Sequence, residues 1–376
     1  MTGPVKVLLA PDKFKGCLTA AEVADAVGRG LLDARPDLEL VKLPVADGGD
    51  GTVAAAVSAG YSRILTDAVG PTGEPVEAAY ALAGQRAVVE LAAVVGLDRL
   101  PGGRLDPLGA STYGLGLVIA DAIRRGATEI VLGLGGSAST DGGAGMVQAL
   151  GARLRDASGA DLAPGGAALA DLATLDLAPL RAAVDSTAFV VANDVDNPLL
   201  GPNGAAAIFG PQKGAGAAEL AVLERGLARW ASVVAETIGQ DHADDPGAGA
   251  AGGTGFAALA LLGATVRPGI ELVLELVDFR GRLHGAGLVI TGEGSLDQQS
   301  LAGKAPVGVA RAAGNHGIPV VAVAGRSLLR QDDLARAGLA AAYPLSDLEP
   351  DPARSMANAA ALLEATGQRI GREWLP

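Results

Sequence analysis

The chain has 376 residues, of which 49% are hydrophobic, so it is long enough to build two domains with large cores. Its formal net charge is −13 and it contains no long run of Lys and Arg, which argues against nucleic acid as a partner. Cys17 is the only cysteine. A single cysteine excludes an intramolecular disulfide and a thiolate metal cluster formed within one chain.

No segment approaches the roughly 18–20 consecutive apolar residues that span a bilayer, and the N-terminal apolar run meets Asp12 too early for a signal peptide. The three histidines lack the spacing of zinc ligands or of a catalytic triad. We therefore expect a cytoplasmic monomer or homodimer that acts on small molecules, without a membrane partner.

The N-terminal segment predicts a strand, a loop and a helix. Residues 5–10 are apolar and predict a buried strand. Lys13 and Lys15 follow it, and Thr19 with Glu22 forms a capping box that begins a helix. Ligands of open α/β sheets collect at the carboxyl ends of strands, so the two lysines could face a phosphate or a carboxylate. The alternative is two solvated surface lysines.

A second unit of the same kind follows. Residues 38–45 predict a strand, and Thr52 begins an Ala-rich helix. Asp47 and Asp50 stand among glycines in the connecting loop and could bind a hydroxylated substrate or Mg²⁺. A turn with an Asp cap explains the same residues without a ligand.

The middle of the chain has a different pattern. Residues 63–97 contain three β-like segments separated by Gly and Pro, which predict an antiparallel part of a mixed sheet. Residues 152–183 are rich in loop signals with one short helical piece, and residues 219–238 predict an amphipathic helix. The segment 240–255 is polar and then rich in Gly and Ala, which is typical of a mobile segment.

The most unusual stretch is EIVLGLGGSASTDGGAGMVQALG, residues 129–151. It predicts a strand that passes through Gly135, Gly136 and Ser137, continues past Asp141 and ends in a helix. Free backbone N–H groups and the helix dipole at such a start favour an anion, most often a phosphate. A tight turn whose glycines serve packing alone is the alternative.

A further strand end and a later turn carry amides, a carboxylate and a lysine. Residues 189–192 predict a strand, after which Asn193 and Asp194 come directly. Gln212 and Lys213 lie farther along in a Gly/Pro-rich turn. These residue types suit the recognition of a polar, anionic substrate.

The C-terminal part returns to alternating strands and helices. Residues 288–291 predict a strand that ends in the segment with Glu293 and Asp297, and residues 320–324 predict one that ends at Gly325 and Arg326. This pattern matches the N-terminus. It predicts an α/β protein in which residues 1–65 and 280–376 form one domain and residues 66–279 form an inserted mixed α/β domain.

The same arrangement of strand, glycine, charged residue and helix therefore recurs at several places. Phosphoryl transfer needs donors for phosphate oxygens, carboxylates for Mg²⁺, and a carboxylate that accepts the proton of the acceptor hydroxyl. The recurrence predicts a kinase for a small hydroxylated molecule.

The chain resembles the type I glycerate kinase family over essentially its whole length. The resemblance rests on APDKFKGCLTA, VADGGDGT, GLGGSASTDGGAGM, ANDVDNPLLGPNGAA, FGPQKGA and LVITGEGSLDQQSLAGKAPVGVA. It implies ATP-dependent phosphorylation of D-glycerate to 2-phosphoglycerate. It also implies two α/β domains, one of them Rossmann- or flavodoxin-like with a parallel sheet, and an active site in the cleft between the domains.

The chain departs from the family pattern at three places. Lys13 stands where serine is frequent, Ser139 and Thr140 stand where threonine and asparagine are common, and Ser295 stands where arginine is common. A kinase for another small hydroxy acid or sugar acid and a non-catalytic ligand-sensing module are the alternatives to glycerate phosphorylation.

Roles are expected as follows. Asp194 is the expected general base, with Asp47 and Asp297 as alternatives. The expected Mg²⁺ ligands are Glu293 and Asp297. The remaining candidates are expected to hold the phosphates of ATP or the glycerate carboxylate and hydroxyls: Lys13, Lys15, Asp47, Asp50, Gly135, Gly136, Ser137, Asp141, Asn193, Gln212, Lys213 and Arg326.

Overall fold

The computed structural model describes residues 5–375. This part of the chain forms two compact units. The first unit comprises residues 5–47, 54–59 and 270–375, and the second comprises residues Gly48–Val53 and Gly60–Gly269.

The strands of the described residues are, in chain order, β1 Lys6–Pro11, β2 Glu39–Lys42, β3 Ser62–Val69, β4 Pro75–Ala83, β5 Arg86–Glu90, β6 Glu129–Gly133, β7 Arg153–Arg155, β8 Thr174–Asp176, β9 Ala188–Ala192, β10 Thr265–Arg267, β11 Ala286–Leu296, β12 Val320–Ser327 and β13 Ala341–Pro344.

The α-helices of the same residues are α1 Ala20–Ala34, α2 Thr52–Ser58, α3 Ala92–Val95, α4 Tyr113–Arg124, α5 Ala144–Ala149, α6 Ala178–Val184, α7 Ala205–Phe209, α8 Ala217–Ile238, α9 Ala250–Leu262, α10 Gly269–Leu276, α11 Phe279–Arg282, α12 Ala305–Gly314, α13 Gln331–Arg336, α14 Pro352–Ala357 and α15 Ala359–Trp374. Not one of them combines the length and the apolar character that crossing a membrane requires.

The first unit is built on a five-stranded parallel sheet with the strand order β13-β12-β11-β1-β2. Successive residues of β1 enter two different cores. Val7 and Leu9 pack with residues of α1 and α15, while Leu8 and Ala10 pack with residues of α10 and α12. Because both faces of the sheet are covered, the residues of β1 from Val7 to Ala10 are all apolar. The carboxyl ends of the parallel strands meet at one edge.

The helix that follows β1 begins where the sequence predicts. Thr19 and Glu22 form the capping box at the start of α1: the Thr19 hydroxyl accepts from the Glu22 backbone N–H at 3.2 Å, and the Glu22 carboxylate accepts from the Thr19 N–H at 2.8 Å. Farther along α1, a Cβ on Gly30 would overlap the carbonyl oxygen of Glu364 in α15. The close packing of these two helices therefore requires glycine at that position.

The second unit contains a six-stranded mixed sheet with the order β10-β9-β6-β5-β4-β3. The four strands β5, β6, β9 and β10 are parallel to one another, and β4 and β3 are antiparallel additions at one side. Its core includes Trp230 and Phe256, whose rings meet edge to face with centroids 6.2 Å apart. The predicted α/β class, with one parallel and one mixed sheet, is confirmed.

The structure corrects two predicted strand ends. β11 continues through the glycine-rich segment to Leu296, and β12 continues past Arg326 to Ser327. The two strands stay paired there, up to Leu296 beside Ser327. Gly292 allows this, because a Cβ at that position would overlap the carbonyl oxygen of Val323. These glycines thus mark close strand contact as well as a strand end.

One segment of the second unit also differs from expectation. Residues 152–183, predicted as loop with one helical piece, contain the antiparallel pair β7–β8 in addition to α6. The glycines Gly252 and Gly253 lie inside the first turn of α9 with positive φ. Both are buried, and a Cβ on Gly252 would overlap the carbonyl oxygen of Ser139. They therefore serve close packing.

Candidate active site

The first unit contains a cavity of about 650 Å³ at the carboxyl ends of β1, β11 and β12. Six of the sequence-predicted residues line it: Lys13, Lys15, Asp47, Glu293, Asp297 and Arg326. The convergence has a simple cause, since the loops after parallel strands emerge at the same edge of the sheet. Three charged residues of the lining were absent from the predicted set: Asp12, Lys304 and Glu349.

Asp12 is the most buried carboxyl of this cavity. It follows directly after β1 and is 8% exposed. The backbone N–H of Lys13 donates to its Oδ1 at 2.6 Å, and the Lys13 ammonium lies 3.9 Å from the same oxygen. Burial raises the pKa of Asp12 to about 7 and outweighs the attraction of Lys13, while the charges of Asp47 and Glu293 raise it further. Its position between a predicted strand and two lysines was the available sequence signal.

Glu293 lies in the part of β11 that the sequence did not predict as strand. Its side chain is buried and its Oε1 has no hydrogen-bond partner among the described residues. Burial raises the pKa of this carboxyl, whereas Ser300 and Lys304 oppose the shift. A buried oxygen without a partner is costly unless a ligand or an ion satisfies it.

Asp297 is engaged in its own turn. Its Oδ1 accepts from the backbone N–H groups of Gln299 at 2.9 Å and of Ser300 at 3.3 Å. The described residues hold no ready cluster of three or more His, Cys, Asp or Glu side chains for a metal. Mg²⁺, however, is commonly held by one or two carboxylates together with water and substrate phosphates, so Glu293 fits such an ion.

Arg326 supplies the cation beside position 295. Arg326 and Ser295 are register partners on the neighbouring strands β12 and β11. The guanidinium Nε donates to the Ser295 hydroxyl at 3.1 Å. A positive charge is therefore present where the chain carries serine in place of the arginine of the family pattern.

The second unit holds a buried lysine against the unusual glycine-rich stretch of residues 129–151. Lys213 is 1% exposed. Its Nζ donates to the Ser137 hydroxyl at 2.7 Å and to the backbone carbonyl of Ser139. Burial lowers the pKa of Lys213 to about 7, with the charge of Asp141 opposing the shift. The lysine thus joins the turn after α7 to the loop after β6.

Asp141 fills the place where an anion was expected at the start of α5. Its carboxylate accepts from the backbone N–H groups of Gly143 and Gly145, both at 3.2 Å. It also accepts from the Thr112 N–H at 2.7 Å and hydroxyl at 2.8 Å. An internal carboxylate therefore satisfies the donors of this helix start, and it also ties α5 to the start of α4.

The other predicted residues of the second unit lie nearer the surface. Asp194 is exposed, and its Oδ1 accepts from the Gly269 backbone N–H at 2.9 Å. Asn193 closes a local turn by donating to the carbonyl of Val195 at 2.6 Å. Asp50, Gln212 and Gly136 are exposed, and Gly135 is half-buried.

Comparison with known proteins agrees on one family. A model of the glycerate kinase family matches residues 7–375. A glycerate kinase from Bacillus subtilis (strain 168) is 45% identical over 324 residues, which is 85% of each chain. A glycerate 2-kinase from Escherichia coli (strain K12) is 45% identical over 325 residues, also 85% of each chain.

A solved structure supports the same grouping. The crystal structure of a protein described as glycerate kinase 2 from Salmonella typhimurium LT2 superimposes with a TM-score of 0.86. It is 41% identical in sequence, and the match covers 98% of both chains.

Proposed function

Because the chain belongs to the glycerate kinase family, we propose that it transfers the γ-phosphoryl group of ATP to the 2-hydroxyl of D-glycerate. The products are 2-phosphoglycerate and ADP. The observation that carries the proposal is the set of cations and carboxylates around the cavity at the carboxyl ends of β1, β11 and β12. The choice of the 2-hydroxyl follows the relative from Escherichia coli, which is named glycerate 2-kinase.

Asp194 is the proposed general base. Its carboxylate is exposed and lies two residues after β9, and its Oδ1 accepts from the Gly269 backbone N–H at 2.9 Å. In this scheme Asp194 accepts the proton of the glycerate hydroxyl, the freed oxygen attacks the γ-phosphorus, and ADP leaves. Asp47 and Asp297 are the alternative bases.

Each unit has its own proposed anion-binding groups. Lys13, Lys15 and Arg326 would hold phosphate or the substrate carboxylate. Ser137 would offer its hydroxyl with the backbone of Gly135 and Gly136. Lys213 is buried behind Ser137, so we propose that it orients this hydroxyl and supplies positive potential. Asp50, Asn193 and Gln212 would contact substrate hydroxyls, and Asp141 would shape the loop.

Glu293, together with Asp297 or Asp47, would hold Mg²⁺ when a nucleotide is bound. The buried and unpartnered Glu293 Oε1 is the observation that supports this placement. The ion would neutralise charge on the phosphate oxygens during transfer. The residues themselves orient the substrates and accept the proton.

An enolase-coupled assay tests the proposal. The full-length protein is incubated with ATP, Mg²⁺ and D-glycerate, and phosphoenolpyruvate formation is followed with and without added phosphoglycerate mutase. Because enolase acts on 2-phosphoglycerate, we expect a signal without the mutase. A signal only after addition of the mutase would show that the 3-hydroxyl is phosphorylated. No ATP-dependent product in either arm would contradict a glycerate kinase activity.

A further inference from the structure

We propose that the cavity of the first unit is the nucleotide site, with the purine against its apolar wall and the triphosphate along its lysines. This inference rests on the proposed function, because it takes the nucleotide to be the phosphoryl donor. It adds the position and orientation of that nucleotide within one unit.

One wall of the cavity is apolar and partly open. Leu345, Pro350, Pro352 and Met356 line it. Met356 is 51% exposed, and the Cys17 thiol donates to its backbone carbonyl at 3.2 Å. An exposed methionine and two prolines beside a cavity suit a flat aromatic ring, because a thioether packs favourably against such rings.

The lining of the same cavity also carries positive charge. The Lys15 side chain is exposed and has no hydrogen-bond or ion-pair partner within residues 5–375. Lys304 also lines the cavity and directly precedes α12, a ten-residue helix. A lysine at the start of a helix adds its charge to the positive end of the helix dipole. These lysines therefore favour a polyanion.

A ligand with both an apolar and an anionic end fits a cavity lined by apolar residues and by lysines. The volume of about 650 Å³ is in the range of drug-sized ligand pockets, and a three-carbon acid would occupy only a small part of it. D-Glycerate has no apolar group to cover Met356 and Pro352. A purine nucleoside triphosphate has an apolar ring for the apolar residues and a triphosphate for the lysines.

The buried Glu293 Oε1 gives a second, independent indication of a ligand. This oxygen belongs to a side chain that lines the cavity, and it has no partner among the described residues. A ribose hydroxyl could donate to it, and the cation that accompanies a triphosphate could also satisfy it. A bound nucleotide would therefore provide the Glu293 Oε1 with a hydrogen-bond donor or a cation.

Binding measurements on two variants test the orientation. We compare the affinities of the full-length wild type, Met356→Ala and Lys15→Ala for ATP and for adenosine by titration calorimetry. Met356→Ala should weaken both ligands about tenfold, because it removes apolar contact with the purine. Lys15→Ala should weaken ATP to a similar degree and leave adenosine unchanged. Leu348→Ala is the matched control, since Leu348 is 50% exposed and lies outside the cavity lining.

Three outcomes would overturn the inference. ATP affinity unchanged in both cavity variants would show that the nucleotide binds elsewhere. Equal losses for ATP and adenosine in Lys15→Ala would contradict the orientation. An increased KM for D-glycerate with an unchanged KM for ATP would identify the cavity as the acid site.

Cys17 provides a direct reporter of cavity occupancy. It is the only cysteine of the chain and lines the cavity, so alkylation of the whole protein reports this one position. ATP and adenosine should slow the alkylation at least fivefold, and D-glycerate should leave its rate unchanged. Protection by D-glycerate and not by either nucleotide ligand would contradict the inference.

The tests separate this inference from the proposed function. If the wild type phosphorylates D-glycerate and both variants bind ATP as tightly as the wild type, the proposed function stands and the proposed nucleotide site is wrong. If ATP binding responds to the two substitutions as expected but the wild type does not phosphorylate D-glycerate, the proposed nucleotide site stands and the proposed function is wrong.

Discussion

Each of the two units contains a buried ionisable group, but the surroundings of the two groups differ. In the first unit, Asp12 is buried beside both positive and negative charges, and its carboxyl lines an open cavity. In the second unit, Lys213 is enclosed, and its ammonium is bonded to the oxygens of Ser137 and Ser139. Burial favours the neutral form in both cases, so it brings the pKa of each group to about 7 from opposite directions.

The difference between the two groups lies in access. Asp12 can meet a ligand because its cavity is open, and its carboxyl could exchange a proton near neutral pH. Lys213 can act only through the residues that enclose it. Burial alone therefore does not identify a catalytic group, and the open cavity distinguishes one of these groups from the other.

The largest expected effect decides which unit supplies the proton acceptor. Asp194→Asn should lower kcat by roughly 10³-fold and leave the KM values nearly unchanged, because general-base catalysis contributes on this order. Asp196→Asn is the control, since Asp196 is also exposed and lies two residues away. If Asp194→Asn retains normal kcat while Asp12→Asn loses it, the proton acceptor lies in the first unit.

The next effect concerns the enclosed lysine. Lys213→Met should lower the free energy of unfolding by about 3 kcal/mol, because it removes two hydrogen bonds and leaves buried oxygens without donors. Its kcat should also fall, since Ser137 loses the group that orients it. The neighbouring and exposed Gln212 gives the control Gln212→Ala. Urea denaturation measures the difference, and equal stability of the two variants would refute the structural role.

The pH dependence of the first unit should report Asp12. The folded carboxyl holds its proton between 3.8 and about 7, where the unfolded carboxyl has lost it. The native state then binds more protons, so the free energy of unfolding falls as pH rises through this window. Asp12→Asn should remove about 2 kcal/mol of this fall. Hydrogen exchange of first-unit peptides measures it, with the exposed Asp332→Asn as the control.

The pH effect expected of the second unit has the opposite sign and lies in a different pH window. Between about 7 and 10.5 the unfolded Lys213 is protonated while the folded one is largely neutral. The unfolded state binds more protons there, so the free energy of unfolding of the second unit rises with pH across this window. Hydrogen exchange of second-unit peptides should show this rise in the wild type and not in Lys213→Met. The same slope in both proteins would exclude Lys213 as its source.

Much of the local structure could be read from the sequence because it depends on near neighbours. The capping box of Thr19 and Glu22, the strand before the glycine-rich stretch and the long helix α8 all appear where they were predicted. Hydrogen bonds three or four residues apart and the alternation of apolar residues define such elements.

The misassigned segments depended on distant partners. β11 extends to Leu296 because β12 runs beside it, and no local pattern announces that pairing. The β7–β8 pair lies in a stretch of loop-like composition whose strands have only three residues each. Short strands carry too little periodicity to be recognised from their own residues.

By itself, the sequence determined the α/β class and the gathering of lysines and carboxylates at strand ends, since parallel strands direct their following loops to one edge of a sheet. Only the tertiary structure decided the surroundings of each side chain. It placed Asp12 and Lys304 in the lining of the cavity. It also put the Asp141 carboxylate within hydrogen-bond distance of the N–H groups at the start of α5. Lys213 became buried against Ser137, which is 76 positions away in the chain. Burial and electrostatic environment arise from residues that are remote along the chain, and they determine which polar groups a ligand can reach.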